Sequence, residues 1–269
     1  MLGAGAFRVG FAEATPVSGA MTAYYDSWIS RGCHGTMTYL ERQATLRRDP
    51  ANVLPGVKTV ICCAFPYAPQ SGAPHPYIAD YALGRDYHTV VRERLAPVTD
   101  HILHRYGAIS RICTDSAPLH ERYWAVRAGL GFVAKNHHLY IPGHGAGFIL
   151  AEILTTLEMA PDSPLEQTCM RCGACARACP GGALLPDGAL DARRCLSYLT
   201  TEARRSVPGR IIGCDICRQV CPMDKQVPPP LSDFEPSDEI AALTPDTLAA
   251  MTKNQRRRLL KNTALSRLR

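Results

Sequence analysis

Eight of the twelve cysteines in this sequence fall between Cys169 and Cys221, and their spacing is that of a redox site. Cys169, Cys172, Cys175 and Cys179-Pro180 form C-x2-C-x2-C-x3-C-P. Three cysteines on one tight loop reach three iron corners of a cube. The fourth, at a helix start, points away toward a second cluster. Cys214, Cys217 and Cys221-Pro222 repeat the pattern one cysteine short, and Cys195 between the runs completes the eight. Exchanging ligands between the runs puts Cys169, Cys172, Cys175 and Cys221 on one [4Fe–4S] cluster. It puts Cys179, Cys195, Cys214 and Cys217 on the other. The competing chemistry is two structural zinc sites, but zinc ribbons use paired C-x2-C units without the third cysteine or the Cys-Pro. The remaining thiols, Cys33, Cys62, Cys63 and Cys113, are scattered. In a reducing compartment such cysteines are metal ligands or free thiols rather than disulfides.

Two clusters make a wire, and a wire needs a destination. No G-x-G-x-x-G follows a strand; Gly143, Gly145 and Gly147 are spaced G-x-G-x-G inside a turn, so no dinucleotide fingerprint is present. The destination therefore lies in the N-terminal part, which reads as α/β. Phe7–Ala12 and the β-branched run Val57–Phe65 are expected strands, the second preceded by the Pro55-Gly56 turn. Met21–Tyr39 and Tyr87–Tyr106 are expected helices, and three prolines make 67–79 a loop. Ala108–Cys113 reads as a strand and Leu119–Leu130 as a helix closed by Gly129 and Gly131. Leu139–Ile141 and Gly147–Thr156 read as strands joined by the hairpin PGHGAG. This is helix–strand alternation with some antiparallel pairing. At about Pro161 the chain becomes dense in Cys, Pro and Gly. The expected layout is an α/β domain over 1–160, a cluster domain over 161–230, and a basic tail of two short helices over 231–269.

The 269 residues are 46% apolar and 20% charged, enough for a real core and too apolar for disorder. The N-terminal stretch does not read as a signal peptide, and no run of about 18 apolar residues occurs, so a cytoplasmic, membrane-free protein is expected. The formal charge of +6 counts cysteines as neutral. Two clusters with their thiolates would bring it to roughly +2, so global charge says little about a nucleic-acid partner. Local charge says more: Thr252–Arg269 holds seven Lys or Arg and no acid. Such a tail suits a polyanion, and equally a solvated helix end.

The sequence resembles the epoxyqueuosine reductases. The likeness lies in CHGTMTYLER, RRDPANVLPGVKTVI, GRDYH, DSAPLHERYWAVRAGLGFVAKN, GFILAEILT, LDARRCLSYLTTE and GCDICRQVCPMDK, together with the first cysteine run, and covers nearly the whole chain. It implies an N-terminal cobalamin-binding α/β (α+β) domain resembling reductive dehalogenases, followed by a ferredoxin-like double [4Fe–4S] domain. It implies cobalamin as cofactor and reduction of epoxyqueuosine to queuosine at the tRNA wobble position. Electrons would come from an external low-potential donor to a monomeric enzyme that grips an anticodon stem-loop. The resemblance places the catalytic acid at Asp115. An alkoxide leaving group needs a proton near neutral pH, and desolvation beside a corrin would raise an aspartic acid into that range. Read alone, Asp115 or Ser116 equally caps a helix starting near Pro118. The matched positions Arg85, Tyr87, His88, Lys135, Asn136, Ser197, Tyr198 and Thr200 become candidate cofactor contacts. Each has a plainer role as core aromatic or surface charge. No axial cobalt ligand is assigned to His88, His137 or His138. The sequence departs from the family at Ala134, where Gly is common, and at Met223, where Trp is common, and it stops before the helical repeats of longer members. Alternatives are a corrinoid reductase of a small molecule, dehalogenase-like, and a ferredoxin-type electron carrier.

Overall fold

The fold is built on a run of side chains with no polar face. In the computed structural model, which describes residues 1–69 and 74–268, strand β2 (Thr59–Pro66) is buried at every position. Such a strand needs cover on both faces. It sits inside a four-stranded sheet of order β1-β2-β6-β3, with β1 at Arg8–Glu13, β3 at Ser110–Cys113 and β6 at Phe148–Thr155. Helices α1 (Gly19–Ser30), α2 (Thr38–Arg42) and α3 (Ala44–Arg47) lie between β1 and β2. Helix α4 (Tyr87–Tyr106) covers one face, laying Val90, Val91, Leu95 and Ile102 on Ile61, Cys63 and Phe65. Helix α5 (Glu121–Arg127) covers the other, laying Trp124 and Ala125 on Val60, Cys62 and Leu154.

Every strand pair in this sheet is antiparallel, so the α/β alternation resolves into an α+β domain. Alternation along a sequence does not fix strand direction. Here β6 inserts between β2 and β3 and runs against both. The long helix expected over 21–39 is also divided. Gly32 and Gly35 both take φ +64 after α1 ends at Ser30. Gly35 cannot carry a side chain, because a Cβ there would lie 2.3 Å from the Tyr198 hydroxyl. The PGHGAG turn does not join two paired strands. β5 (Leu139–Tyr140) pairs with β4 (Phe132–Val133) in a separate two-stranded sheet, while β6 enters the main one. Gly145 in that turn admits the Asp224 carboxylate, 2.4 Å from where a Cβ would stand. Of the loop expected over 67–79, residues 70–73 lie outside the described residues; Ile78 forms a parallel bridge with Ile212.

The cysteine-rich stretch carries three short helices, α6 (Ala174–Ala178), α7 (Leu196–Thr201) and α8 (Ile216–Gln219). A buried ionic group ties it to the sheet domain. Arg218 pairs with Asp80 and, at 2.8 Å, with Asp224, whose other oxygen accepts from the Ala146 N–H. Helices α9 (Asp238–Ala241), α10 (Pro245–Ala250) and α11 (Lys253–Leu259) follow. They do not trail freely: Ile240, Leu243, Leu260 and Leu265 share a core with Ile78, Leu83 and Ile212. The basic character lies on the exposed side of α11; Arg269 is outside the described residues. No described helix is long and apolar enough to cross a membrane.

One buried group works against this fold. Glu152, in the middle of β6, is fully buried between its register partners Cys62 and Cys113, and neither carboxyl oxygen has a hydrogen-bond partner among the described residues. Burial, then the nearby Glu121 charge, raises its pKa well above the ordinary 4.5. The folded chain thus keeps it protonated while the unfolded chain ionises it, so its burden on stability grows as pH rises above about 4.5. Glu152→Met is expected to stabilise the fold at pH 7 by about 1–3 kcal/mol. The gain in unfolding midpoint should shrink toward pH 4.5; a Tm lowered at pH 7 contradicts this account.

Candidate functional site: two cysteine nests and an acidic cleft

The eight cysteines gather in two nests. Cys169, Cys172, Cys175 and Cys221 line one cavity of roughly 320 Å³, with Ala134, Lys135, Asn136 and Met223 completing its wall. The loop reaches this shape through left-handed residues Arg171 (φ +53) and Gly173 (φ +76), the latter capping α6. The β4–β5 sheet backs the cavity with Phe132 and Tyr140. The second nest is Cys179, Cys195, Cys214 and Cys217. Burial pushes the Cys217 thiol up to about 12, and the neighbouring Cys214, Cys195 and Cys179 sulfurs add to it. Among the described residues no three His, Cys, Asp or Glu side chains are grouped as a single metal ion needs. Four thiols gathered from two segments of the chain suit a cube of iron and sulfide with a thiolate at each corner. Main-chain N–H groups already aim at sulfur, from Arg171 to Cys169 (3.4 Å) and from Ala183 to Cys179 (3.3 Å).

A cleft of roughly 550 Å³ opens beside the second nest. One wall is Tyr81, Asp86, Tyr87, His88 and Asp115; the other is Thr201, Glu202, Ile212 and Ala264. Cys195 caps α7 at its N-terminus and Thr201 ends it, so nest and cleft are one short helix apart, about 9 Å at 1.5 Å per residue. Asp115 does not cap a helix. Helix α5 begins at Glu121 with His120 as its cap residue, and the Ser116 hydroxyl donates to the Thr114 carbonyl. The Asp115 carboxylate instead accepts from the Tyr87 hydroxyl (2.8 Å) and faces His88 Nε2 (3.2 Å), with its side chain 55% exposed to the cleft. His88 Nδ1 lies 2.8 Å from Asp86, which also caps α4. Burial opposes charge on the His88 ring, but the Asp115 and Asp86 carboxylates outweigh it and raise the ring to about 9.

Asp115 is held at φ +52, a left-handed conformation costly for a residue with a Cβ. Its N–H is taken by the Glu121 carboxylate. Burial, then the Asp115 charge, moves Glu121 up to about 7. Glu121 sits inside the DSAPLHER motif, yet its spacing gave no reason to single it out, since the bond depends on the turn at Asp115.

The other candidate contacts divide. Arg85 is engaged by Asp233 and by Glu93 (2.9 Å), away from the cleft lining. Asn136 is buried and donates to the Cys217 carbonyl (2.8 Å) and the Tyr140 hydroxyl (2.9 Å), so it braces both nests; Lys135 borders the first. The Tyr198 hydroxyl is fixed by the Thr36 N–H (2.7 Å). The Thr200 hydroxyl is occupied by the Leu196 carbonyl (2.9 Å) and the Gly213 N–H (2.9 Å), and the Ser197 carbonyl accepts from Thr201 (2.7 Å). Thr201 and Glu202, one turn on, reach the cleft instead. His138 lies 3.8 Å from the Cys217 sulfur and His137 bonds the Gly188 carbonyl, both on the nest side.

Comparison with known proteins agrees with this layout. A family model described as a 4Fe-4S double cluster binding domain matches residues 168–224, so this segment is an iron–sulfur domain. The model for epoxyqueuosine reductase QueG, DUF1730, matches residues 47–116. The epoxyqueuosine reductase of Gloeobacter violaceus is 34% identical, covering 98% of this chain and 88% of that protein. That of Cyclobacterium marinum is 35% identical, covering 90% and 82%. That of Vibrio cholerae is 38% identical over 75% of this chain and 59% of its own length. The chain belongs to the epoxyqueuosine reductase family. A crystal structure of an epoxyqueuosine reductase with an epoxyqueuosine-modified tRNA-Tyr stem loop superposes with TM-score 0.86 at 27% identity, covering 98% of this chain and 76% of that one. The Bacillus subtilis enzyme, solved with its catalytic aspartate loop swung out of the active site, gives 0.82 at 27% identity, again over 98% and 76%. A reductive dehalogenase shares the fold at TM-score 0.51 and 18% identity, over 95% of this chain and 33% of its own.

Proposed function

We propose that this chain reduces the epoxide of epoxyqueuosine to the alkene of queuosine in the anticodon stem-loop of a tRNA. The observation that carries the reading is the cleft: Asp115, open to it, faces a wall made by the same segments that bear the second cysteine nest. Cobalamin in the cleft would supply a strongly reducing metal centre that opens the epoxide. The lining suits an amide-fringed macrocycle, with Tyr81, Ile212 and Ala264 as apolar surface beside Thr201 and Glu202. Asp115 is the proton donor, oriented by the Tyr87 hydroxyl and by Glu121 at its N–H. The Bacillus subtilis relative, seen with its catalytic loop displaced, supports reading the Asp115 turn as the part that moves. The same reading makes the protein a cytoplasmic monomer served by an external low-potential donor. Reduced, cobalamin-loaded protein incubated with epoxyqueuosine-containing tRNA should yield queuosine by nucleoside mass spectrometry. Unchanged epoxyqueuosine overturns the reading. Cob(II)alamin binding without turnover would favour a small-molecule reductase, and no binding at micromolar concentration an electron carrier.

The basic face of α11 is the proposed RNA contact. Asn262 accepts from the Asp86 N–H (2.7 Å) and Ala264 lines the cleft, so the tail stands at the site's edge with Arg257, Arg258 and Lys261 exposed. Replacing these three by Ala is expected to raise KM for RNA with kcat unchanged. The slope of log affinity against log salt should flatten by about 2. An unchanged slope removes the tail from the interface.

A further inference from the structure

Removing an epoxide oxygen as water consumes two protons, and a single carboxyl group delivers only one at a time. Resting on the function proposed above, we propose that His88, held between Asp86 and Asp115, supplies protons to the Asp115 carboxylate for both steps. Its Nδ1 is 2.8 Å from Asp86 and its Nε2 is 3.2 Å from Asp115. A neutral imidazole has one N–H and can satisfy one carboxylate; the imidazolium satisfies both. The side chain is 12% exposed, so the charge is kept from bulk water. Tyr87 stacks on the ring at 4.1 Å, Tyr81 and Glu202 line the same cleft, and Arg92, one turn along α4, reaches toward Ser116. Burial disfavours the charge but the two carboxylates prevail, so the ring stays protonated until pH approaches about 9.

The step balances. The resting pair of Asp115 carboxylate and His88 imidazolium holds one transferable proton, which passes from Nε2 through Asp115 to the epoxide oxygen as the first C–O bond breaks, and solvent recharges the ring. His88 then passes a second Nε2 proton to Asp115, while Asp86 retains the proton on Nδ1. The recharged Asp115 protonates the hydroxyl, which leaves as water when the second C–O bond breaks. Two electrons from the external donor enter through the clusters, so the epoxide is reduced and the donor oxidised. Solvent returns a proton to the ring after product leaves.

Two measurements test this. NMR titration of the His88 ring in the cluster-loaded protein should give a midpoint near 9, lowered by at least about one unit in Asp86→Asn. In turnover, the wild-type rate should fall on the alkaline side with that midpoint. His88→Gln should lose about 100-fold in kcat, keep KM for RNA and its iron, and lack that limb. Added imidazole should partly restore His88→Ala. A ring that titrates below about 7, or a His88→Gln enzyme with wild-type rate and pH profile, overturns the proposal. Failure of the wild type to reduce the epoxide overturns the function and this proposal together; an active wild type whose His88→Gln variant keeps its rate and pH profile overturns only this one.

Discussion

Asp115→Asn is expected to retain both clusters and the corrin, and to lose turnover by about 10³-fold, within the usual span for a lost general acid. Three features make it a clean variant. Asn tolerates the left-handed φ of +52 as well as Asp does. Its side-chain oxygen still accepts from the Tyr87 hydroxyl, so the cleft wall keeps its shape. Its N–H still meets Glu121, so the turn stays latched. What it lacks is a transferable proton. Single-turnover conversion of epoxyqueuosine, read by mass spectrometry beside iron content and the cobalamin spectrum, checks the result. Wild-type turnover ends the proton-donor role. Loss of iron would mean that the variant perturbs the nests, although the hydrogen bonds of the Asp115 side chain run to Tyr87 and His88.

What the sequence disclosed follows from where local rules suffice. The bounds of α4 at Tyr87 and Tyr106 are set by Asp86, whose side chain caps the helix, and by Gly107, which takes φ +64 as it ends. The unbroken apolar run of β2 marked a strand covered on both faces. The nests were legible because ligand spacing is chemistry written along the chain, and even the exchange of Cys179 and Cys221 between runs follows from it. The strand directions were not legible, since nothing in the order of helices and strands says that β6 returns between β2 and β3. Nor was the two-residue β4, too short to show a period. Glu121 and the ionic group of Arg218, Asp80 and Asp224 act across turns and between segments. Thr200 and Tyr198 matched a motif, and the fold spends their hydroxyls on Gly213 and Thr36 rather than on the cleft.

The same contrast between spacing and fold decides the second large effect. Cys195 belongs to neither run, and removing its thiol is expected to take one whole cluster and spare the other. Cys195→Ala should lower iron from about eight to about four per chain. The backbone around the site has its own supports: Asp191 caps the preceding turn, the Leu199 N–H bonds the Cys195 carbonyl, and Tyr198 is pinned to Thr36. Helix α7 should therefore persist without the sulfur. The first nest shares no cysteine with the second and keeps its backing from Phe132 and Tyr140, so its cluster should remain, visible as a reduced-state EPR signal. Turnover should nonetheless vanish, because the nest that is lost is the one a single short helix away from Asp115's cleft. Cys113→Ala is the control. That thiol lies in the sheet core beside Glu152, and its loss should leave iron unchanged. Iron near eight in Cys195→Ala would return that cysteine to the protein's ordinary thiols and require another fourth ligand for the second cube.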